Sequence, residues 1–388
     1  MTLSYIAIYG NAFLGLGKHA LDGPGAAAPA SAAKKENREK NVKLKTKAAA
    51  LLARRGALPM LAVAATLAVG ASTPAAAAEK LTLMVGGMEK IIYLPAKLTE
   101  SLGFFKEQGL DVELASEPAG VNATNELVAG SIQGAVGFYD HTIDLQAKGK
   151  KIESVVTIGL VSGHAILASS KAKDINSPAD FAGKTIGVTG LGSSTAFLVQ
   201  YLAKKNGVDP SKVRLLSVGA GATFVAAIAH GSIDAGITTE PTISRVVNGG
   251  QGRVIVDLRT PDEAKKNLGG LYPAASLYMS TAYVESHPEV TQKLVNAFVK
   301  TMQYIASHSA EDIADKMPKD FYAGDKAAYV KALADAKVMF SPDGRMPAGG
   351  AETVLSVLKE FKKEVQQASI DLRQTYTNKF VDAANAAK

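Results

Sequence analysis

Between residues 81 and 258, short apolar strands alternate with helix-length stretches, and the alternation starts twice. In the first round LTLMVGG (81–87) is a strand ending in a glycine turn, and Met88 to Leu102 follows as a helix. LDVELAS (110–116), GAVGFYD (134–140) and SVVTIGL (154–160) continue as strands, with a short helix from Asn122 to Gly130 and another opening at HTIDLQAKGK. The second round opens at TIGVTGLGSSTAFLVQYLAKKNG (185–207), a strand, a tight turn at Gly190 and Gly192, and a helix that begins with hydroxyls. Strands at Val213–Val218, IDAGITTEP and RVIVDL (253–258) complete it. Apolar period and glycine stops of this kind specify α/β layers. AASLYMSTAYVES (274–286) reads as a strand returning to a different place. The remainder is helical, with an i, i+3, i+4 stripe of Leu294, Val295, Phe298, Val299 and Met302.

Ahead of this lies a targeting segment. Lys43, Lys45, Lys47, Arg54 and Arg55 form a basic stretch, and GALPMLAVAATLAVG (56–70) an apolar one. The apolar run is shorter than the ~20 residues a membrane span needs. Ala76 and Ala78 supply the small-residue pattern of a signal peptidase site, so residues 1–78 read as leader and signal peptide, cleaved near Ala78. Residues 1–41 fit no part of such a peptide and are expected to be a mis-called upstream start. The exported product is then a soluble periplasmic protein.

Charge follows the same division. The chain's formal charge is +7, and residues 1–78 carry ten Lys and Arg against three Asp and Glu. The remaining 33 basic and 33 acidic residues cancel, so nothing in the folded part suggests nucleic-acid binding. The absence of cysteine excludes disulfides, thiolate metal sites, thiol catalysis and a lipid-modified N-terminal Cys. The six His are scattered without paired spacing, so no metal or other cofactor is expected.

The segments YLPAKLTESLGFFKEQGLDVEL, GSIQGAVGFYDHTIDLQAKGK, DFAGKTIGVTGLGSSTAFLVQYLAKKNGVDPSKV, HGSIDAGITTEP and HPEVTQKLVNAFVKT, in this order, cover nearly the whole exported chain. Together they resemble the periplasmic substrate-binding proteins of ABC importers, in the nitrate, sulfonate, taurine and thiamine-precursor group. The resemblance implies a two-lobed, type II-like periplasmic binding protein fold with a ligand cleft between the lobes. One lobe would take residues 79–166 and 274–388, the other 167–273. It implies a monomer that captures a small-molecule anion, closes about a hinge and docks on an ABC permease with its ATPase.

In open α/β sheets, ligands bind outside the carboxyl ends of strands. Those ends here hold Gly86, Gly87 and Met88; Phe138, Tyr139, Asp140 and His141; Gly190 to Thr195; and Thr238 to Glu240. Gly192, Ser193, Ser194 and Thr195 are the leading candidates. Free amides at a helix start carry partial positive charge, and hydroxyls add neutral donors. Neutral donors suit an anion that must be released, whereas a buried lysine adds charge and cost. The alternative is an ordinary N-cap. Gly190-x-Gly192 also hints at a dinucleotide fingerprint, but Thr195 stands where a third glycine is needed.

Tyr139 and His141 are expected ligand contacts, with Asp140 capping the next helix or orienting His141. His164 and Tyr278 lie near the two crossings between lobes. Glu240 ends a strand and is read as holding an amine or hydroxyl, or pairing loosely with Arg245. Asn122 and Thr223 open helices. Arg253, Arg259 and Arg345 are read as surface residues. Phe138, Tyr139 and Met88 favour an organic ligand.

The expected function is delivery of a small organic anion, a sulfonate or carboxylate. Nitrate, bicarbonate and a neutral pyrimidine precursor are alternatives within the family. A same-fold pyrimidine synthase is disfavoured, because those enzymes depend on a cysteine-rich motif. A sensor that presents ligand to a receptor kinase would use the same clamp.

Overall fold

A computed structural model describes residues 80–322 and 324–387. The leader, its cleavage site and the proposed later start lie outside these residues. Among the described residues, ten strands form two five-stranded sheets. They are β1 (Lys80–Val85), β2 (Asp111–Ser116), β3 (Gly134–Phe138), β4 (Ile152–Thr157), β5 (His164–Ser169), β6 (Thr185–Val188), β7 (Arg214–Ser217), β8 (Ala235–Thr239), β9 (Gly252–Asp257) and β10 (Ala275–Ser280).

The first sheet has the order β2-β1-β3-β10-β4, and the second β7-β6-β8-β5-β9. In the first, β1 runs parallel to β2 and β3, while β10 is antiparallel to β3 and β4. In the second, β6 runs parallel to β7 and β8, while β5 is antiparallel to β8 and β9. Each sheet thus has the same plan, and each receives its antiparallel strand directly after the chain crosses. The chain leaves the first sheet at Thr157, enters the second at His164, leaves at Asp257 and returns at Ala275. The division expected after residue 166 falls within β5.

β5 is absent from the sequence reading. All six of its residues are buried. A strand covered on both faces shows no alternation, so periodicity does not reveal it. The helix expected over Met88–Leu102 also begins later. A 3-10 turn spans Ile91–Tyr93 and the α-helix runs from Leu94 to Ser101, with Pro95 in its first turn, where the missing amide costs nothing.

The segment after β10 covers the first sheet. The helix Pro288–Ser307 turns Leu294, Val295, Phe298, Val299 and Met302 inward, as its stripe requires. It packs on the Leu94–Ser101 helix and on β4, and Thr301 Oγ1 meets Thr99 Oγ1 at 2.7 Å. The loops that follow β1, β3 and β6 face one another where the two sheets approach.

Candidate functional site

The turn after β6 is built for close approach. A Cβ on Gly190 would come within 2.9 Å of Ala119 Cβ, which belongs to the loop ahead of helix Gly120–Ala129. The twelve-residue helix Ser194–Lys205 starts behind this turn, with Ser193 as an extended N-cap residue. Ser193 makes no side-chain cap bond. Its hydroxyl instead accepts from the Val121 amide at 3.4 Å, across from the other sheet's loops. The Ser194 and Thr195 amides belong to the first turn and have no intrahelical acceptor.

Ser193, Ser194 and Thr195 are all buried. They line a cavity of about 20 Å³ with Gly86, Lys90, Ile92, Tyr93, Gly120, Phe138, His164 and Thr189. The cavity thus joins the carboxyl ends of β1, β3 and β6 with the first residue of β5. Its room is that of about one water molecule. A second cavity of about 240 Å³ shares Lys90 and is lined also by Ala220–Ala222, Thr242 and Arg245.

Lys90 is the residue that sequence reasoning missed, and it corrects the expectation of neutral donors alone. It is 4 % exposed. Its ammonium donates to Gly86 O at 2.6 Å and Pro118 O at 3.0 Å, which leaves a third proton free to donate. Burial lowers its pKa to about 8, so it is charged at neutral pH. Gly87 makes the burial possible. Its φ is +114°, and a Cβ there would lie 2.5 Å from Lys90 Cε and Nζ. The local signal was thin, a lysine three residues beyond a strand-end glycine pair.

His164 lies on the cavity wall, edge-on to Phe138 at 5.2 Å between ring centroids. Burial first, and the Lys90 charge second, push its pKa down to about 3. The ring is therefore neutral. Its Nδ1 is buried and has no hydrogen-bond partner among the described residues. Thr189, also unpredicted, donates its amide to Thr195 Oγ1 at 3.1 Å and pairs hydroxyl to hydroxyl with it at 2.9 Å.

Asp140 neither caps its helix nor orients His141. It is fully buried, and its two oxygens accept from Ser194 Oγ at 2.7 Å and Tyr272 OH at 3.0 Å. The N-cap position of its helix is Tyr139, with no side-chain bond. His141 sits beside Ser194, Nε2 to Oγ 3.5 Å, and burial lowers its pKa. It also flanks Gly120, whose Cβ would meet Nε2 at 3.3 Å.

Several expected contacts are occupied elsewhere. Tyr139 points into the first sheet's core, its OH 2.5 Å from Thr375 Oγ1. Tyr278 packs under helix Gly120–Ala129, its OH 2.6 Å from Thr124 Oγ1. Glu240 is buried and accepts from Arg259 Nη1 at 2.9 Å and the Ser244 amide at 3.0 Å. Its partner is thus Arg259 and not Arg245, and this arginine is not the plain surface residue its place in the sequence suggests. Pairing lowers the cost of burying a carboxylate, and the guanidinium reaches this one from the loop after β9.

Asn122 and Thr223 are exposed in the first turns of their helices, and neither lines either cavity. Met88 is half-buried and its amide donates to Ser116 Oγ. Gly192, at φ +83°, shapes the turn, with its Cβ position 3.5 Å from Val121. The structure therefore gathers Gly86, His164, Ser193, Ser194 and Thr195 around one cavity, with Gly87, His141 and Gly192 immediately behind. Tyr139, Tyr278, Glu240, Asn122, Thr223 and Met88 are not part of that wall.

A family profile described as NMT1/THI5 like matches residues 93–312. The chain is 36 % identical to a protein of solved structure from Bordetella bronchiseptica RB50, over 79 % of this chain and 97 % of that one, with a TM-score of 0.76. It is similar to the alkanesulfonate-binding protein SsuA from Xanthomonas axonopodis pv. citri, solved bound to MOPS. That likeness covers 80 % of this chain and 99 % of the other, with a TM-score of 0.61 and 18 % identity. It is also 26 % identical over 236 residues to the 4-amino-5-hydroxymethyl-2-methylpyrimidine phosphate synthase THI13 of Saccharomyces cerevisiae, covering 58 % of this chain and 67 % of that protein.

Proposed function

Because the chain belongs to the NMT1/THI5-like family and has the two-lobed periplasmic binding protein fold, we propose that it captures a small organic anion, a sulfonate or carboxylate, and delivers it to an ABC-type importer. On this reading one lobe carries the first sheet, up to Thr157 and again from Ala275, and the other the second sheet, His164 to Asp257, in place of a boundary after residue 166. The protein works as an exported monomer. Among the described residues no helix is long and apolar enough to cross a membrane.

One observation carries the choice of an anion. The buried Lys90 ammonium and the start of helix Ser194–Lys205 face the same cavity from opposite sheets. An oxyanion between them would receive a charged donor from one lobe and helix-end amides and hydroxyls from the other. The ligand would then hold the lobes together, which is what a hinged clamp requires. The 20 Å³ cavity admits a sulfonate head only as the lobes part, and the adjoining 240 Å³ cavity offers room for an organic tail.

Binding is favoured over catalysis by the geometry around Ser194. Its hydroxyl proton is committed to Asp140, and Asp140 is bonded to Tyr272 rather than to His141. A nucleophile–base–carboxylate relay needs the carboxylate on the base.

The test is a thermal-shift screen of the purified protein against alkanesulfonates, carboxylates, nitrate, bicarbonate and pyrimidines. A ligand at 100 times its dissociation constant adds about 2.7 kcal/mol of stability. Stabilisation by sulfonates or carboxylates supports the proposal. Stabilisation by a neutral heterocycle with no anion effective would refute the anion reading.

A further inference from the structure

Asp140 is a fully buried carboxylate with no cationic partner among the described residues. Only two hydroxyls, from Ser194 and Tyr272, satisfy it. The other buried acids nearby are compensated. Asp144 is held by Lys148 at 2.7 Å and by Lys362, and Glu240 by Arg259. An uncompensated carboxylate is costly in a protein interior. This one stands directly behind Ser194, one hydroxyl away from a cavity that presents a single ammonium.

We infer that Asp140 sets the charge of the ligand, admitting singly charged anions and penalising doubly charged ones. The inference rests on the anion-binding reading above and deepens it. Lys90 and the helix start supply roughly one and a half positive charges toward the cavity. The Asp140 carboxylate cancels about one of these and leaves roughly half a positive charge, so a first negative charge on the ligand is partly matched and a second meets only repulsion. Asp140 does not line the cavity, so it acts through its field and through Ser194 rather than by contact. The neighbouring groups do not blur this balance. Burial lowers the pKa of both histidines, so neither adds positive charge at neutral pH, and Glu89, Asp320 and Arg245 line the adjoining cavity, where together they add one negative charge rather than cancel the Asp140 carboxylate.

The experiment is isothermal titration of the wild-type protein, Asp140→Asn and Tyr272→Phe with methanesulfonate, a monoanion, and sulfoacetate, a dianion at neutral pH. Asparagine has the shape of aspartate and keeps an acceptor for Ser194. The wild type should prefer methanesulfonate by at least tenfold. Asp140→Asn should shift that ratio at least tenfold toward sulfoacetate, and Tyr272→Phe, which keeps the charge, should leave it in place. Equal binding of the two probes by the wild type overturns the inference without any variant. So does an unchanged ratio in Asp140→Asn, or the same shift in Tyr272→Phe. If the wild type binds neither probe, the anion reading itself fails and this inference falls with it.

Discussion

Replacing Lys90 by methionine separates what this residue contributes to binding from what it costs the fold. The folded pKa is about 8 and the ordinary value 10.5. That gap corresponds to about 3 kcal/mol carried by the folded state at neutral pH. The sign follows from proton counting. Between pH 8 and 10.5 the unfolded chain holds the Lys90 proton and the folded chain has released it, so stability rises with pH across that window. Below pH 8 the full cost is present. Methionine removes the cost but leaves Gly86 O and Pro118 O without their donor, at about 1 kcal/mol each. Lys90→Met should therefore be more stable than wild type by about 1 kcal/mol at pH 7, and less stable by about 2 kcal/mol above pH 10.5. Affinity moves the other way. Losing a charged donor to an anion costs about 1.5–3 kcal/mol, or roughly 10- to 150-fold at pH 7. Urea unfolding at pH 7 and near pH 10.5 gives the first comparison, and titration with methanesulfonate the second. A stability difference that is the same at both pH values, or a variant that binds as tightly as wild type, would refute the reasoning.

Four further outcomes are expected. Thr195→Ala should destabilise by about 1–2 kcal/mol in urea unfolding, because it orphans the buried Thr189 amide; Ser193→Ala, whose hydroxyl has only the long Val121 contact, should lower anion affinity with little loss of stability. Arg259→Ala should cost about 3 kcal/mol by urea unfolding, since the buried Glu240 carboxylate then keeps only the Ser244 amide. His164 is held neutral down to about pH 3 against an ordinary 6.5, so the unfolded chain binds its proton first and stability falls as pH drops through that window. His164→Asn should flatten that part of the stability profile measured between pH 6.5 and 4.

The sequence made the strand–helix alternation legible because each strand end is marked by glycine or by a polar cluster. It also marked the Ser193–Thr195 turn, where a local pattern and a local structure coincide. What it could not show was where long-range partners would use up a polar group. Tyr139 reaches Thr375, 236 positions away, and Tyr278 reaches Thr124, 154 positions away. Both look like cleft residues until those distances close. Lys90 fails in the opposite sense. A lysine in a helix-like stretch reads as solvated, and its burial depends on Gly87 and on the Pro118 carbonyl 28 positions downstream. β5 was hidden because burial on both faces erases the alternation that periodicity needs.

The exchange of antiparallel strands between the two sheets also orders events in time. The second sheet is complete once β9 exists, because β5 is already in hand. The first sheet is not. β4 pairs in its sheet only with β10, which lies more than a hundred residues further along the chain. During synthesis the amino-terminal half therefore keeps β4 detached and one side of β3 open until Ala275–Ser280 arrives. Long-range pairing of this kind is slow to form. The amino-terminal half is thus unable to close on its own, and its folding waits on the last strand of the chain.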